Sequence, residues 1–117
     1  MNLPLILSDQ GDVAVFETMK DLESYVESPD AADCRVYDAS GRRYFFKGYR
    51  EPCFKRSFVE KVEAVHIDRE QLGLDEAEEL TLLLRSYLQR SGLRDSTEGW
   101  PLRQLLKKTI EISGYTR

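Results

Sequence analysis

The spacing of apolar residues changes along this 117-residue chain, and that change limits the folds that the chain can adopt. Up to residue 67 the apolar residues lie in short runs of strand type, interrupted by one helical stretch. From residue 75 onward they recur every three or four residues, as in amphipathic helices. Strands and helices do not alternate regularly. The sequence therefore predicts an α+β fold with a mainly antiparallel sheet.

The first half of the chain predicts a β-hairpin, a helix and further strands. Gly11 can take the positive φ of a hairpin turn. Thr18 is placed to cap a helix of about ten residues, with Asp21 as its capping-box partner and Pro29 as its end. Gly48 to Pro52 are expected to interrupt the strands. The predicted strands span residues 3–7, 13–17, 34–38 and 42–47, and residues 54–67 form a longer β-rich stretch whose imperfect alternation indicates a bulge or a change of register.

The last third of the chain predicts two antiparallel helices. Asp75 is expected to cap the first helix, with Glu78 in its first turn and Gly92 after its end. Pro101 suits the first position of the second helix. The apolar stripe of the first helix contains Ala77, Leu80, Leu84, Tyr87 and Leu88, broadened by Leu82 and Leu83. The predicted order is ββαβββ followed by this helical pair.

The composition is that of a folded domain. Charged residues make up 32% of the chain and hydrophobic residues 41%, which predicts one domain over residues 1–117. No apolar run reaches the roughly 18 residues of a membrane span, and residues 1–7 lack the basic leader of a signal peptide. Only Cys34 and Cys53 are present, which favours a cytoplasmic protein. A disulfide between them is left open.

Candidate catalytic residues are few. His66 is the single histidine, and its alternation with Val65 and Ile67 favours an outward, structural role. Cys53 lies near basic residues that can activate a thiol, but the two cysteines lack the spacing of zinc ligands. The sequence therefore predicts a protein that is not an enzyme and that holds no metal or cofactor.

Charge is distributed unevenly around a formal net charge of −4. Residues 1–40 contain nine acidic and two basic side chains, whereas residues 41–60 contain six basic and two acidic ones. Residues 61–117 are close to balance, with ten acidic and nine basic side chains. This layout indicates charged partners and says little about the fold.

The basic segment 42–56 mixes arginines and lysines with aromatic residues, which is typical of nucleic-acid-binding surfaces. A strand with aromatic core residues and charged edge residues explains the same pattern. The acidic pI of about 5.1 makes nucleic acid an unfavourable partner. The segment nevertheless supplies a second hypothesis: an adaptor or regulatory module that binds protein or nucleic acid through residues 42–56.

Four segments of the first half carry a family resemblance. They are Leu3-Pro4-Leu5-Ile6-Leu7-Ser8-Asp9-Gln10-Gly11-Asp12, Phe16-Glu17-Thr18, Leu22-Glu23-Ser24-Tyr25-Val26-Glu27 and Val36-Tyr37-Asp38-Ala39-Ser40-Gly41-Arg42. The Leu-rich C-terminal helices, ending at Ile110-Glu111-Ile112-Ser113-Gly114, add a looser likeness. The chain thereby resembles small bacterial immunity proteins of polymorphic toxin systems, including cognates of Rhs-type and type VI secretion effectors.

The resemblance implies a protein that binds a cognate secreted toxin and blocks its active site. The charge distribution then predicts that the acidic surface contacts the toxin, because such a surface steers association with the basic clefts of toxins that attack nucleic acids. Trp100 is expected either to staple the last helix to the core or to anchor an interface. The predicted partner-binding residues are Glu23, Glu27, Asp30, Asp33, Asp38 and Trp100. A solvated acidic face is the alternative interpretation, and a homodimer is left open.

Overall fold

The described residues of the computed structural model are 1–26, 34–55, 58–68, 73–93 and 96–116, and they form seven strands and three helices. The strands are β1 (Leu5–Asp9), β2 (Asp12–Phe16), β3 (Cys34–Tyr37), β4 (Arg42–Tyr44), β5 (Phe46–Lys55), β6 (Phe58–Ile67) and β7 (Leu74–Asp75). The helices are α1 (Met19–Tyr25), α2 (Ala77–Arg90) and α3 (Leu102–Ser113). None of these helices is long and apolar enough to cross a membrane.

Five strands form an antiparallel sheet in the order β2-β1-β3-β4-β7. Strands β5 and β6 form a separate two-stranded antiparallel sheet, with a register that runs from Phe46 opposite Ile67 to Lys55 opposite Phe58. Helices α2 and α3 pack as a C-terminal pair. The α+β prediction, with its antiparallel sheet and terminal helical pair, is confirmed.

The five-stranded sheet has an apolar cluster on each face. Side chains alternate along a strand, so Leu5 and Leu7 of β1 enter one cluster and Ile6 enters the other. The first cluster includes Leu22 of α1, and the second contains the buried leucines of α2 and α3. All three β1 residues are at most 2% exposed. The strand is therefore buried on both faces, between α1 and the helical pair.

The first hairpin turns through two residues with positive φ, Gln10 at 49° and Gly11 at 95°. Two successive positive φ values define the tight turn whose twist matches that of the flanking strands. The sequence predicted this role for Gly11 alone. The turn is shorter than expected, because β1 and β2 remain paired as far as Asp9 and Asp12.

The helix ends agree only partly with the sequence. The cap of α1 is confirmed, since the Thr18 hydroxyl accepts a hydrogen bond from the N–H of Asp21 at 3.1 Å. The helix ends at Tyr25, before Pro29. Pro101 occupies the cap position of α3 and not its first turn. Asp75 belongs to β7, and Glu76 rather than Asp75 occupies the cap position of α2, but the Asp75 carboxylate accepts a hydrogen bond from the N–H of Ala77 at 3.4 Å.

The C-terminal end of α2 follows the predicted pattern. Gly92 has a φ of 88°, and its N–H donates to the carbonyl of Gln89 at 3.3 Å. The N–H of Leu93 donates to the carbonyl of Leu88 at 3.1 Å. These paired bonds are those of a glycine-terminated helix, and they satisfy two of its last carbonyls.

The predicted interruption at residues 48–52 was wrong. Strand β5 continues through Gly48 and Pro52 to Lys55, while the predicted strand 42–47 is divided between β4 and β5. A two-stranded sheet leaves one edge of each strand unpaired, and proline, which lacks an N–H, is tolerated in such edge strands. The two-stranded sheet therefore accommodates Gly48 and Pro52, which would interrupt a central strand.

Gly41 holds the β3–β4 turn against the start of α2. Its φ is 89°, and its carbonyl accepts a hydrogen bond from the N–H of Glu76 at 3.0 Å. A Cβ atom placed on Gly41 would lie 2.6 Å from the Cβ of Ala77 and closer still to its Cα. Only glycine satisfies both the backbone conformation and this close approach.

Replacement of Gly41 by alanine should therefore destabilise the fold. We expect Gly41→Ala to lower the free energy of unfolding by about 2–4 kcal/mol, because backbone strain and a clash with Ala77 act together. Gly99→Ala is the matched control, since Gly99 has a φ of 79° and open space around its Cβ position. Gly99→Ala should lower the free energy of unfolding by only about 1–2 kcal/mol. Urea unfolding of both variants measures the difference, and equal losses would refute the close-approach explanation.

Candidate protein-binding surface

The acidic residues predicted to meet a partner are not gathered on one described surface. Glu27, Asp30 and Asp33 lie outside the described residues. Glu23 and Asp38 are described, and the carboxylates of both accept hydrogen bonds from other parts of the chain. Each is part of the internal structure of the fold, so neither offers the exposed carboxylate that the sequence led us to expect.

Glu23 joins α1 to the end of β6. Its Oε2 atom accepts a hydrogen bond from the N–H of Ile67 at 2.8 Å and lies 3.3 Å from Nδ1 of His66. Only 14% of its side chain is exposed. Glu23 was predicted to contact a partner, but β6 packs against α1 on that side and covers most of the side chain.

The Asp38 carboxylate is the most densely hydrogen-bonded polar group of the described residues. Its Oδ1 accepts from the N–H and the hydroxyl of Ser40, at 2.9 and 2.6 Å, and from the N–H of Arg42 at 3.0 Å. Its Oδ2 accepts from the N–H of Asn2 at 3.1 Å and from the Tyr44 hydroxyl at 3.2 Å. The residue is 0% exposed, so it presents no carboxylate to a partner.

These contacts govern the charge of Asp38. Burial alone raises the pKa of a carboxyl group, because it disfavours the charged form. Here the hydrogen bonds from the Ser40 hydroxyl and from the N–H groups of Asn2, Arg42 and Ser40 outweigh burial, and they hold the pKa of Asp38 below its ordinary value. The same carboxylate contributes to a raised pKa for Tyr44, after the larger effect of burial.

The histidine and the two cysteines lie in three different strands. His66 is 41% exposed while Ile67 is buried, as alternation along a strand predicts. Cys34 is half-buried and packs against the first apolar cluster. Cys53 lies in β5 at the register position opposite Glu60. Across the described ranges, no group of three or more His, Cys, Asp or Glu side chains is arranged to hold a metal ion.

The basic segment contributes to the fold at its N-terminal end. Arg43 lies 3.6 Å from Glu76 and stacks on Phe45, with 4.9 Å between the guanidinium carbon and the ring centroid. Arg42 donates a hydrogen bond to the carbonyl of Gly73 at 3.2 Å. Arg42 and Arg43 therefore connect β4 to the residues on either side of β7. Arg56 lies outside the described residues.

The Trp100 side chain packs against the second apolar cluster, and the backbone N–H of Trp100 donates to the carbonyl of Thr97 at 3.0 Å. The predicted staple between the helix entry and the core is therefore present. The partly exposed side chain also lines a groove of about 240 Å³ along α3. The other lining residues are Gln104, Lys107, Lys108 and Glu111. The role of Trp100 as an interface anchor stays a prediction.

The outer face of α2 carries an apolar side chain that the core does not use. Leu82 is 63% exposed, the largest value among the exposed large hydrophobic side chains of the described residues. The sequence assigned it to the buried stripe, and this was wrong. A helix turns by roughly 100° per residue, so Leu82 lies about 200° from Leu80 and points away from the sheet. Helical geometry alone could have revealed this.

Leu82 stands between two grooves. One, which we call the hairpin groove, has a volume of about 580 Å³ and lies between α2, the β1–β2 turn and β3. The other, the helix groove, has a volume of about 330 Å³ and follows the N-terminal half of α2. Lining residues of the hairpin groove besides Leu82 include Gln10, Gly11, Arg35, Tyr37, Glu79 and Ser86. Those of the helix groove are Ala77, Glu78, Thr81 and Arg85.

Charged side chains border both grooves. Arg35 and Glu79 lie 4.0 Å apart across the hairpin groove, and each side chain is 56% exposed. Such an exposed pair contributes at most about 1 kcal/mol, so a partner can displace it at little cost. In the helix groove Glu78 is exposed and Arg85 is half-buried. The apolar centre is thus surrounded by charges of both signs.

Comparison of the chain with protein-family models, curated proteins and solved structures finds no match.

The Asp38 network predicts a distinctive dependence of stability on pH. Because folding lowers the pKa of Asp38, its contribution is complete above the ordinary value of about 3.9 and is lost as the pH falls through the lowered value. At pH 7 we expect Asp38→Asn to reduce the free energy of unfolding by about 2–3 kcal/mol, since several donors lose a charged acceptor. The deficit should shrink below about pH 4, as the wild-type carboxyl becomes protonated.

Urea unfolding between pH 2.5 and 7 measures this deficit. Glu98→Gln, at an exposed position, serves as the control and should change stability little at any pH. If Asp38→Asn fails to fold, Ser40→Ala, which removes the donor at 2.6 Å, allows the same comparison with a smaller deficit. A deficit that stays constant down to pH 2.5 would contradict the lowered pKa.

Proposed function

We propose that this protein acts by binding another protein, and that its partner is a secreted bacterial toxin that it neutralises as an immunity protein. The observation that carries the binding part is Leu82, an exposed leucine held between two grooves of the α2 surface. The toxin as partner is supported by the resemblance of four sequence segments to immunity proteins of polymorphic toxin systems.

The surroundings of Leu82 have the composition of a binding hot spot. Its helical neighbours three and four residues away are Glu78, Glu79, Arg85 and Ser86, so a polar ring surrounds one apolar side chain. Interfaces concentrate their free energy in such central apolar anchors, and the polar rim mainly excludes water. Complete burial of a leucine contributes about 1.5–3 kcal/mol, and a partner that covers Leu82, which is 63% exposed, gains the larger part of this.

The fold holds this surface in place before a partner arrives. On the opposite side of α2, Leu80, Leu84 and Leu88 are each 0% exposed and pack in the second apolar cluster. A preformed surface avoids the entropy loss of ordering a loop on binding. That property suits an inhibitor, which must capture its toxin quickly and release it slowly.

Neutralisation by contact requires no chemistry from this chain. An inhibitor blocks a toxin when its surface fills or covers the toxin's active site. The two grooves can receive side chains of the toxin while Leu82 enters a depression on it, so both partners interlock. Whether the contact lies at the active site is settled by assaying the toxin with a small substrate and with its macromolecular target.

Co-expression with the toxin domain encoded next to this chain tests the proposal directly. We expect cells that express both proteins to survive and the two chains to co-elute as a stable complex in size-exclusion chromatography. Survival without a complex, or a complex without protection, would overturn the proposed function.

A single side chain should dominate the binding energy. We expect Leu82→Ala to raise the Kd for the toxin domain by about 10- to 100-fold, corresponding to the loss of a hot-spot contact. Alanine keeps the helix intact, so the melting temperature should change little. Isothermal titration calorimetry measures the Kd.

Ile112→Ala provides the matched control, because Ile112 is a 43% exposed apolar residue on α3. It should leave the Kd within about twofold of the wild-type value. Equal effects of the two substitutions would show that the α2 surface is not the anchor.

A further inference from the structure

We infer that the outer edge of β6 pairs with the same edge of a second copy of this chain, antiparallel and about a two-fold axis at Val62. Strands β5 and β6 together are called the ribbon below. The inference goes beyond the proposed function and does not rest on it. The observations that carry it are the unpaired edge of β6, the proline at the edge of β5 and the order of charges along β6.

The ribbon is held by the rest of the fold at its base. There Phe46 and Ile67 pack in the first apolar cluster, and Glu23 accepts a hydrogen bond from the N–H of Ile67. The radius of gyration is 16.0 Å, whereas a compact chain of this length has a value of about 13 Å. A two-stranded sheet is only marginally stable by itself. A third strand would therefore stabilise the outer part of the ribbon.

Backbone hydrogen bonds at the base show which N–H groups of β6 reach its outer edge. The N–H of Asp68 donates to the carbonyl of Phe45, on the side of β5, whereas the N–H of Ile67 donates to Glu23, on the other side. Successive residues of an antiparallel strand alternate in this way. The N–H groups directed to the outer edge of β6 are therefore those of Val59, Lys61, Glu63 and Val65. In the part of the chain that the structure describes, β5 is the only strand that pairs with β6.

The outer edge of β5 is less suited to pairing than that of β6. Pro52 lies opposite Lys61. Because the N–H of Lys61 points away from β5, the pair is not hydrogen-bonded, and the nitrogen of Pro52 faces the outer edge of β5. A proline there removes a donor and protects the edge. Strand β6 contains neither proline nor glycine and is rich in β-branched residues, which favour strands.

Symmetry limits the registers in which two β6 edges can meet. Opposite residues share a face of the sheet, so a two-fold axis places one residue opposite its own copy. With Val62 on the axis, residues 58–66 of both copies pair. With Glu63 on the axis, two glutamates oppose each other, which is unfavourable. That register also needs the N–H of Ile67, which already donates to Glu23. The axis at Val62 is therefore preferred.

The register with Val62 on the axis also matches the charges of β6. It places Lys61 of each copy opposite Glu63 of the other, and oppositely charged cross-strand pairs stabilise an antiparallel sheet. Within the ribbon, Glu63 already lies opposite Arg50, but Lys61 lies opposite Pro52, which has no charge. A second copy thus supplies the charge partner that β5 does not provide for Lys61.

The product is a four-stranded antiparallel sheet in the order β5-β6-β6-β5. Its outer edges are the two β5 edges that contain Pro52, so the pairing stops at a dimer. Leu82 lies on α2, which covers the opposite face of the five-stranded sheet from α1. The dimer edge and the α2 surface can therefore be tested separately.

Two complementary charge variants test the pairing. We expect the wild-type chain to form a dimer of twice 13.6 kDa in analytical ultracentrifugation. Lys61→Glu alone and Glu63→Lys alone should each raise the dimer dissociation constant by about tenfold or more, because each places like charges opposite each other on both sides of the axis. An equimolar mixture of the two variants should recover the dimer, since every introduced charge then lies opposite its counterpart.

Glu60→Lys is the matched control, because it makes the same charge change as Glu63→Lys at a position opposite Ala64 of the second copy. It should leave the dimer dissociation constant within about threefold of the wild-type value. A monomeric wild-type chain overturns the inference, and so does a dimer that both single variants leave unchanged. Failure of the mixture to recover the dimer overturns it as well. Leu82→Ala should leave the dimer intact, so a monomer that still protects against the toxin overturns this inference alone.

Oxidative cross-linking locates the axis. In a background of Cys34→Ser and Cys53→Ser, we expect Val62→Cys to form a disulfide-linked dimer with copper phenanthroline. The two copies of residue 62 form a non-hydrogen-bonded pair with Cα atoms about 4.5 Å apart, within reach of a disulfide. Ala64→Cys is the matched control, because its two copies are offset by about 14 Å along the strands. Cross-linking of Ala64→Cys in place of Val62→Cys would overturn the register and the inference.

Discussion

The buried carboxylate of Asp38 is the interaction on which the rest of the structure depends. It accepts hydrogen bonds from Asn2 in the N-terminal segment, from Ser40 in its own turn and from Tyr44 of β4. The turn that it shapes brings Gly41 against Glu76 and Ala77, where α2 begins. The Asp38 network therefore fixes the turn against which α2 begins, while the buried leucines of α2 hold the helix on the sheet.

A sheet covered on both faces explains why the binding surface lies where it does. Helix α1 and the end of β6 cover one face, and α2 and α3 cover the other. Because the inner stripe of α2 is fully used in packing, an apolar residue on its outer side remains exposed and fixed in direction. The neighbouring β1–β2 turn completes a groove beside it. Rigid packing on one side of α2 thus provides a preformed surface on the other.

Carboxylates stabilise this fold at one position and destabilise it at another, depending on the groups around them. Asp38 is buried among donors, which favour its charged form and stabilise the fold. Asp9 and Asp12 are exposed and lie opposite each other, so their like charges repel and oppose folding. The acidic first third of the sequence is therefore not one surface. In the described residues it divides into internal contacts and a charged hairpin tip.

The sequence by itself determined the α+β class, the first hairpin, the Thr18 cap and the glycine that ends α2, because each depends on neighbours a few residues apart. It placed Glu23 and Asp38 on a partner surface and Leu82 in the core, and those assignments failed. Burial of a carboxylate depends on which distant N–H groups reach it, here those of Ile67 for Glu23 and of Asn2 for Asp38. Only the tertiary structure decided these contacts, since they join residues that are 36 and 44 positions apart.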